Sequence, residues 1–196
     1  MGASIGMAVG FDKAEDGAYK KTVAVIGDST FIHSGITGLI DAVYNKARVT
    51  VIVVDNRTTG MTGHQNHPAT GKTIKNEPTY PLSIEDVCKA VGVNRVRVVN
   101  PDDVASVESA VKEELVKEEV SVIIARKPCV LLTKKLYDAF TVNAEKCRNC
   151  KQCLKIGCPA IINGKNGVSI DKSLCTECGL CQNICKFGAI EGVAKC

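Results

Sequence analysis

Thr22-Val23-Ala24-Val25-Ile26-Gly27-Asp28-Ser29-Thr30 decides the fold class. Residues 22–27 are apolar or β-branched without polar alternation, which predicts a strand buried on both faces. The run then stops in a glycine, a carboxylate and two hydroxyls. Downstream, Ile36, Leu39, Ile40 and Val43 recur at helical spacing and predict a helix over 35–46. Residues 49–54 form another continuous β-branched run, and 95–99 and 120–125 give two more strands. Between those two lies a second helix, with Asn100 expected as N-cap, Pro101 at the first helical position and Asp102 and Asp103 at its positive end. Val104, Val107, Val111 and Leu115 are its apolar stripe. Strands alternating with helices predict an α/β domain built on a parallel sheet covered on both faces.

In such sheets ligands bind at the C-terminal ends of strands. Two strand ends here are polar: Gly27-Asp28-Ser29-Thr30 and Asp55-Asn56-Arg57-Thr58-Thr59-Gly60. Glycine lets a phosphate approach the backbone. Asp28 offers an anionic oxygen and Asn56 an amide oxygen, ligands suited to octahedral Mg2+. A helix N-terminus expected near Ser34-Gly35 can face a phosphate. His33, just after this turn, and His64 are the candidates for catalytic proton handling. His67 lies close by.

The other end of the chain reads differently. Nine of the eleven cysteines lie in 147–196, in two matched sets: Cys147, Cys150, Cys153, Cys158 and Cys175, Cys178, Cys181, Cys185. The first three of each set are offset by 28 residues, an internal duplication. Two close cysteines suit a tetrahedral zinc site, whereas three at successive x2 spacing suit three corners of a [4Fe–4S] cube. The fourth of each run then reaches the other cluster. One cluster is therefore expected on Cys147, Cys150, Cys153 and Cys185, and the other on Cys175, Cys178, Cys181 and Cys158. Ile156, Ile161, Ile162, Val168, Ile170, Leu180, Ile184, Phe187 and Ile190 are expected to shield the sulfurs. Cys88 and Cys129 read as buried thiols, and Cys196 as a free one.

Charge follows the same division. Residues 1–144 hold 17 basic and 17 acidic side chains; residues 145–196 hold 8 and 4. Each oxidised [4Fe–4S] with four thiolates carries a charge of about −2, so the basic excess reads as compensation for two clusters. It does not read as a nucleic-acid surface. No apolar run approaches a membrane span. Met1–Phe11 lacks the basic region of a signal peptide, and a cytoplasmic location is expected. Gly71-Lys72-Thr73 ends like a phosphate-binding loop, but Asn66 stands where that motif needs glycine. The charged run 112–119 reads as the solvated face of a helix.

Gly27-Asp28-Ser29, then 25 residues, then Asp55-Asn56 resembles the thiamine-diphosphate motif, with Ser29 and Asp55 departing from its usual Gly and Asn. Thr59-Gly60-Met61-Thr62-Gly63-His64-Gln65 resembles the Thr-Gly-Gly-Gln loop of 2-oxoacid:ferredoxin oxidoreductases. The cysteine segment resembles two-cluster bacterial ferredoxins, with one extra residue before Cys158 and Lys186 in place of a second Pro. Together these stretches resemble the α subunit of indolepyruvate:ferredoxin oxidoreductases. The resemblance implies Mg2+ on Asp28, Asn56 and the Thr58 main chain, and a diphosphate lined by Gly27, Ser29 and Thr30. Gly60 and Thr62 join them as cofactor-binding residues.

It also implies the reaction: thiamine-diphosphate-dependent oxidative decarboxylation of an arylpyruvate, with the acyl group passing to coenzyme A. Electrons would pass through two [4Fe–4S] clusters to an external ferredoxin. A β subunit is the expected partner, with nucleic acid and membrane excluded. Pyruvate or another 2-oxoacid is the alternative substrate. A different reading is an electron-transfer protein whose α/β domain is not catalytic. The expected organisation is 1–136, a thiamine-diphosphate domain incomplete at its N-terminus; 137–144, a linker; and 145–196, a small α+β ferredoxin-like domain. Met1–Gly10 resembles a small-residue helix inside the thiamine domain. A C-terminal fragment, a mis-assigned start or a split subunit would each account for that.

Overall fold

A computed structural model of the chain describes residues 2–132, 138–165 and 167–192. It falls into two compact units, Met1–Cys129 and Val130–Cys196. The boundary expected at 136 and the thiol of Cys196 lie outside the described residues.

The first unit is built on four parallel strands, β1 (Val23–Gly27), β2 (Thr50–Asp55), β3 (Arg95–Val99) and β4 (Ser121–Arg126), in the spatial order β1-β2-β4-β3. Helix α1 spans Ala3–Ala14. After β1 the chain turns directly into helix: α2 (Asp28–Thr30), a π-helical turn (Phe31–Gly35), then α3 (Ile36–Tyr44). Helices α4 (Ile84–Ala90) and α5 (Val104–Leu115) complete the unit.

One face of the sheet presents Ala24, Ile26, Val51, Val53, Val122 and Ile124 to α1, α3 and α4. Phe31 and Leu39 are fully buried in this core, each contributing roughly 2–3 kcal/mol of transfer free energy. On the other face α5 packs Ala110, Val107 and Val111 on Val99 and Ile123. A helix is about 10 Å wide and strands are about 4.8 Å apart, so one helix covers two or three strands. Covering is therefore incomplete on this side: Val25 and Val54 remain 54% and 43% exposed.

Two sequence expectations shift. Helix α5 is capped by Asp103, whose Oδ1 accepts the Ser106 N–H at 3.0 Å; Asn100 instead closes the preceding turn through Asp102 N–H. Glu114, inside the charged run 112–119, is not solvated. It is buried in a two-pronged ion pair with Arg95 at 2.7 and 3.0 Å.

In the second unit β5 (Thr141–Val142) pairs antiparallel with β8 (Ile190–Glu191), and β6 (Ile161–Gly164) with β7 (Gly167–Ile170). So part of the expected linker is a paired strand. A 3₁₀ segment, Gln152–Ile156, and α6, Leu180–Ile184, are offset by 28 residues, the same interval as the cysteines. Phe140 is buried beneath Gly179 and Gly192. A Cβ at Gly192 would stand 2.4 Å from its ring, so only glycine fits. No described helix is long and apolar enough to cross a membrane.

Candidate cofactor site and cysteine cavities

Asp28 and Asn56 follow the C-terminal ends of neighbouring strands, with Gly27 in register with Val54. Parallel pairing therefore brings two segments 28 residues apart to one sheet end. Asp28 opens the helix; the N-terminus expected near Ser34-Gly35 is several residues earlier, because Gly27 is already the cap. The backbone at Gly27, φ −74°, suits any residue, and a Cβ there would meet no protein atom within 4 Å. The missing side chain thus leaves open space beside Asp28.

The Asp28 side chain is buried. Its Oδ1 accepts Ser29 N–H at 2.8 Å, and its Oδ2 accepts Arg57 N–H at 2.9 Å and His67 Nε2–H at 3.1 Å. Burial raises the carboxyl, but these hydrogen bonds, His67's first, outweigh it and hold it below the usual carboxylate range. The Arg57 guanidinium does not help, since it points to Asp55 and the Ala69 carbonyl. Among the described residues no Lys or Arg side chain pairs with Asp28. A buried carboxylate with a free lone pair on Oδ1 and no cationic side chain fits a divalent cation.

Across the gap, Asn56 Oδ1 accepts the Thr58 N–H at 3.1 Å and keeps a second lone pair. Its carbonyl accepts the Cys129 N–H at 2.9 Å, which anchors the loop to the segment that follows β4. Thr58 is buried. The Thr59 hydroxyl donates to Ser29 Oγ at 2.9 Å and ties the two strand-end loops together. Gly60 and Thr62 lie on a 3₁₀ turn, where Thr62 and Gln65 bond to each other in the exposed part of the loop.

The histidines separate. His33 is exposed on the π-helical turn. His64 is half-buried at φ 64°, and its Nδ1 is buried without a hydrogen-bond partner among the described residues. His67, the least emphasised in the sequence, is buried against Asp28. It also caps the turn Pro68–Thr70, where its Nδ1 accepts the Ala69 N–H at 3.3 Å. Nothing in the spacing of His67 announces a partner 39 residues away; the His-Pro pair signals only the cap.

Behind the loop lies a second polar cluster that the sequence reading missed. Asp55 is fully buried, and its Oδ2 accepts Arg126 Nε–H at 2.6 Å. Arg126 also forks onto Glu85 at 2.7 and 2.8 Å. Cys88, on the same helix as Glu85, is in the core, and burial pushes its thiol up to about 12.

In the second unit Cys147, Cys150, Cys153 and Cys185 ring one cavity, walled by Val168, Phe187 and Ile190. Cys158, Cys175, Cys178 and Cys181 ring another, walled by Ile156, Ile161, Ile170 and Leu180. Each cavity thus gathers three cysteines of one run and the fourth of the other. Among the described residues no three His, Cys, Asp or Glu side chains converge on a single-ion geometry. Four sulfurs around a void instead fit the corners of a cubane. Burial pushes the Cys181 thiol up to about 11. Cys185 goes the other way: burial raises it, but N–H groups of residues 187–190 prevail, Ala189 N–H lying 3.3 Å from Sγ.

A parallel sheet with an acidic, glycine-opened strand end and a separate cysteine unit defines a cofactor-binding α/β protein joined to an iron–sulfur module. The chain belongs to the thiamine pyrophosphate enzyme family, matching its C-terminal TPP binding domain over residues 1–125. Residues 144–161 and 168–191 match 4Fe-4S binding domains. The chain is similar to indolepyruvate oxidoreductase subunit IorA of Methanothermobacter marburgensis: 40% identity over 197 residues, 100% of this chain and 31% of the relative. The Archaeoglobus fulgidus subunit is 41% identical over 198 residues, 97% of this chain and 31% of the relative. The resemblance read from the motifs is borne out.

The chain spans about a third of the length of these relatives. In fold it is similar to the 2-oxoglutarate:ferredoxin oxidoreductase of Magnetococcus marinus, TM-score 0.57 at 17% identity, over 68% of this chain and 47% of that one.

Proposed function

We propose that this chain is the cofactor-binding and electron-carrying part of a 2-oxoacid:ferredoxin oxidoreductase of the indolepyruvate type, acting on arylpyruvates with a β subunit and coenzyme A. The observation that carries the reading is the convergence of Asp28 and Asn56 at adjacent strand ends, in one chain with two four-cysteine cavities. Bound thiamine diphosphate would supply the electron sink that decarboxylation of a 2-oxoacid requires. Asp28, Asn56 and the Thr58 main chain would hold Mg2+, which would supply charge neutralisation for the diphosphate. Gly27, Ser29, Thr30, Gly60 and Thr62 line that group.

His67 fixes the Asp28 carboxylate. His64 and the exposed His33 are the candidates for handling a substrate proton. The eight cysteines would hold two [4Fe–4S] clusters, groups that supply single-electron transfer. External ferredoxin is the acceptor, and the cytoplasm is the expected site of action. The proposed boundaries are 1–136, 137–144 and 145–196.

The test is 2-oxoacid-dependent viologen reduction, with partner chains, thiamine diphosphate and Mg2+ supplied. Indolepyruvate should lead the panel, and Asp28→Ala should abolish both the rate and thiamine binding. Clusters that reduce in a chain that never binds thiamine diphosphate would make it an electron carrier with a non-catalytic α/β domain. A panel led by pyruvate would shift the substrate but keep the reaction.

A further inference from the structure

The two cysteine cavities are opposite in charge. Arg148 and Lys151 line the first, and Lys186 directly follows its last cysteine. All three are exposed, and among the described residues none of their side chains makes a hydrogen bond or ion pair. The wall of the second cavity contains no basic side chain, and Glu177 stands in it. So the two basic side chains that line a cysteine cavity, Arg148 and Lys151, both line the first.

The duplication allows a position-by-position comparison. Arg148 corresponds to Thr176, Asn149 to Glu177 and Lys151 to Gly179. The backbones agree: φ is 49° and 63° at Asn149 and Glu177, and 60° and 79° at Lys151 and Gly179. Left-handed backbone is free for glycine and disfavoured for lysine. The first half therefore keeps a charged side chain at a position where its own repeat carries glycine. Strain retained in this way points towards function. Phe187, 48% exposed, lines the same cavity and sets an apolar spot within the basic rim. That combination suits a protein partner.

We propose that the rim formed by Arg148, Lys151 and Lys186 is the docking face for an acidic protein that accepts single electrons, and that electrons leave the chain there. The proposal rests on the two-cluster reading given above. In the transfer, the reduced cluster on Cys147, Cys150, Cys153 and Cys185 loses one electron and returns to its oxidised state. The acceptor's oxidised [4Fe–4S] cluster gains that electron. No bond forms or breaks, and no proton moves.

The experiment uses the full chain with clusters reconstituted and iron counted. The chain is reduced with dithionite and mixed in stopped flow with an acidic [4Fe–4S] ferredoxin or with basic cytochrome c. The variant R148T/K151G/K186Q places the repeat's own residues at the first two positions. Its transfer to the acidic ferredoxin should slow about 10-fold at low salt, and the salt dependence should flatten. Transfer to cytochrome c should hold or quicken. K165Q/K172Q, which removes two basic side chains lining neither cavity, should leave the ferredoxin rate within about twofold. Equal rates for parent and variant, or equal slowing towards both carriers, overturn the docking face while the clusters stand. A chain that assembles fewer than two clusters overturns the two-cluster reading, and the proposal with it.

Discussion

His67 Nε2 stands 3.1 Å from Asp28 Oδ2, while its Nδ1 takes the N–H of Ala69 at 3.3 Å. One backbone amide thereby sets the ring proton on the nitrogen that faces the carboxylate. Such outer hydrogen bonds orient metal ligands. His67→Phe keeps the ring and removes the donor. It should raise the Kd for thiamine diphosphate in the presence of Mg2+ about 10–100-fold, measured by titration calorimetry. His67→Gln, whose amide still donates, should recover part of the loss. An unchanged Kd in the Phe variant would leave His67 only as a cap.

Arg126 is what makes a charged Asp55 tolerable at a fully buried position. Arg126→Met leaves that carboxylate with only Arg57 Nε at 3.4 Å. Breaking a buried pair costs about 3–5 kcal/mol, and urea unfolding should show a loss of that order. Adding Asp55→Asn removes the stranded charge and should restore much of it. Additive damage in the double variant would sink this reading.

The same network predicts an acid response. The Arg126 hydrogen bonds hold the Glu85 carboxyl below its ordinary value of 4.5, overcoming its partial burial. A depressed folded value means stability present above the unfolded value and lost as pH falls through the folded one. The Tm gap between the parent and Glu85→Gln should be constant near neutrality and close below about pH 4.5. Cluster-free chain is the material, since acid strips clusters. A gap that widens in acid would contradict the assignment.

Gly192 has no room for a methyl group: its Cβ would press on the Phe140 ring at 2.4 to 2.7 Å. Gly192→Ala should destabilise the second unit by about 1–3 kcal/mol, seen as faster bleaching of the cluster absorbance on warming. Phe140→Leu in the same background should relieve it.

Cys185 closes the cavity of the first run although it belongs to the second. Cys185→Ala should therefore cut iron from roughly eight to roughly four per chain and spare the cluster on Cys158, Cys175, Cys178 and Cys181. Loss of the downstream cluster instead would mean that each run ligates its own.

The strands were legible because continuous β-branched runs have few other uses, and the cysteine sets because their spacing repeats. The start of α5 was not. Both Asn100 and Asp103 can cap, and the choice rests on tertiary detail, including the contact of Lys127 with Asp102. Glu114 looked solvated because its partner, Arg95, comes from a different element. Asp28 and Asn56 could be read from a motif, whereas His67, Arg126 and Glu85 support them only through pairings made by the folded sheet. Local chemistry is written along the chain; the groups that hold it in place are brought there by topology.

The π-helical turn Phe31–Gly35 links two angular demands on one helix. Downstream, Leu39 and Ala42 must meet the core; upstream, Asp28 must face the ligand space. An α-helix advances about 100° per residue, and a π turn takes up one residue more than a regular turn. That surplus residue acts as a phase adapter. Deleting a single residue from this turn would leave a better helix that aims its carboxylate about 100° away from the open space beside Gly27.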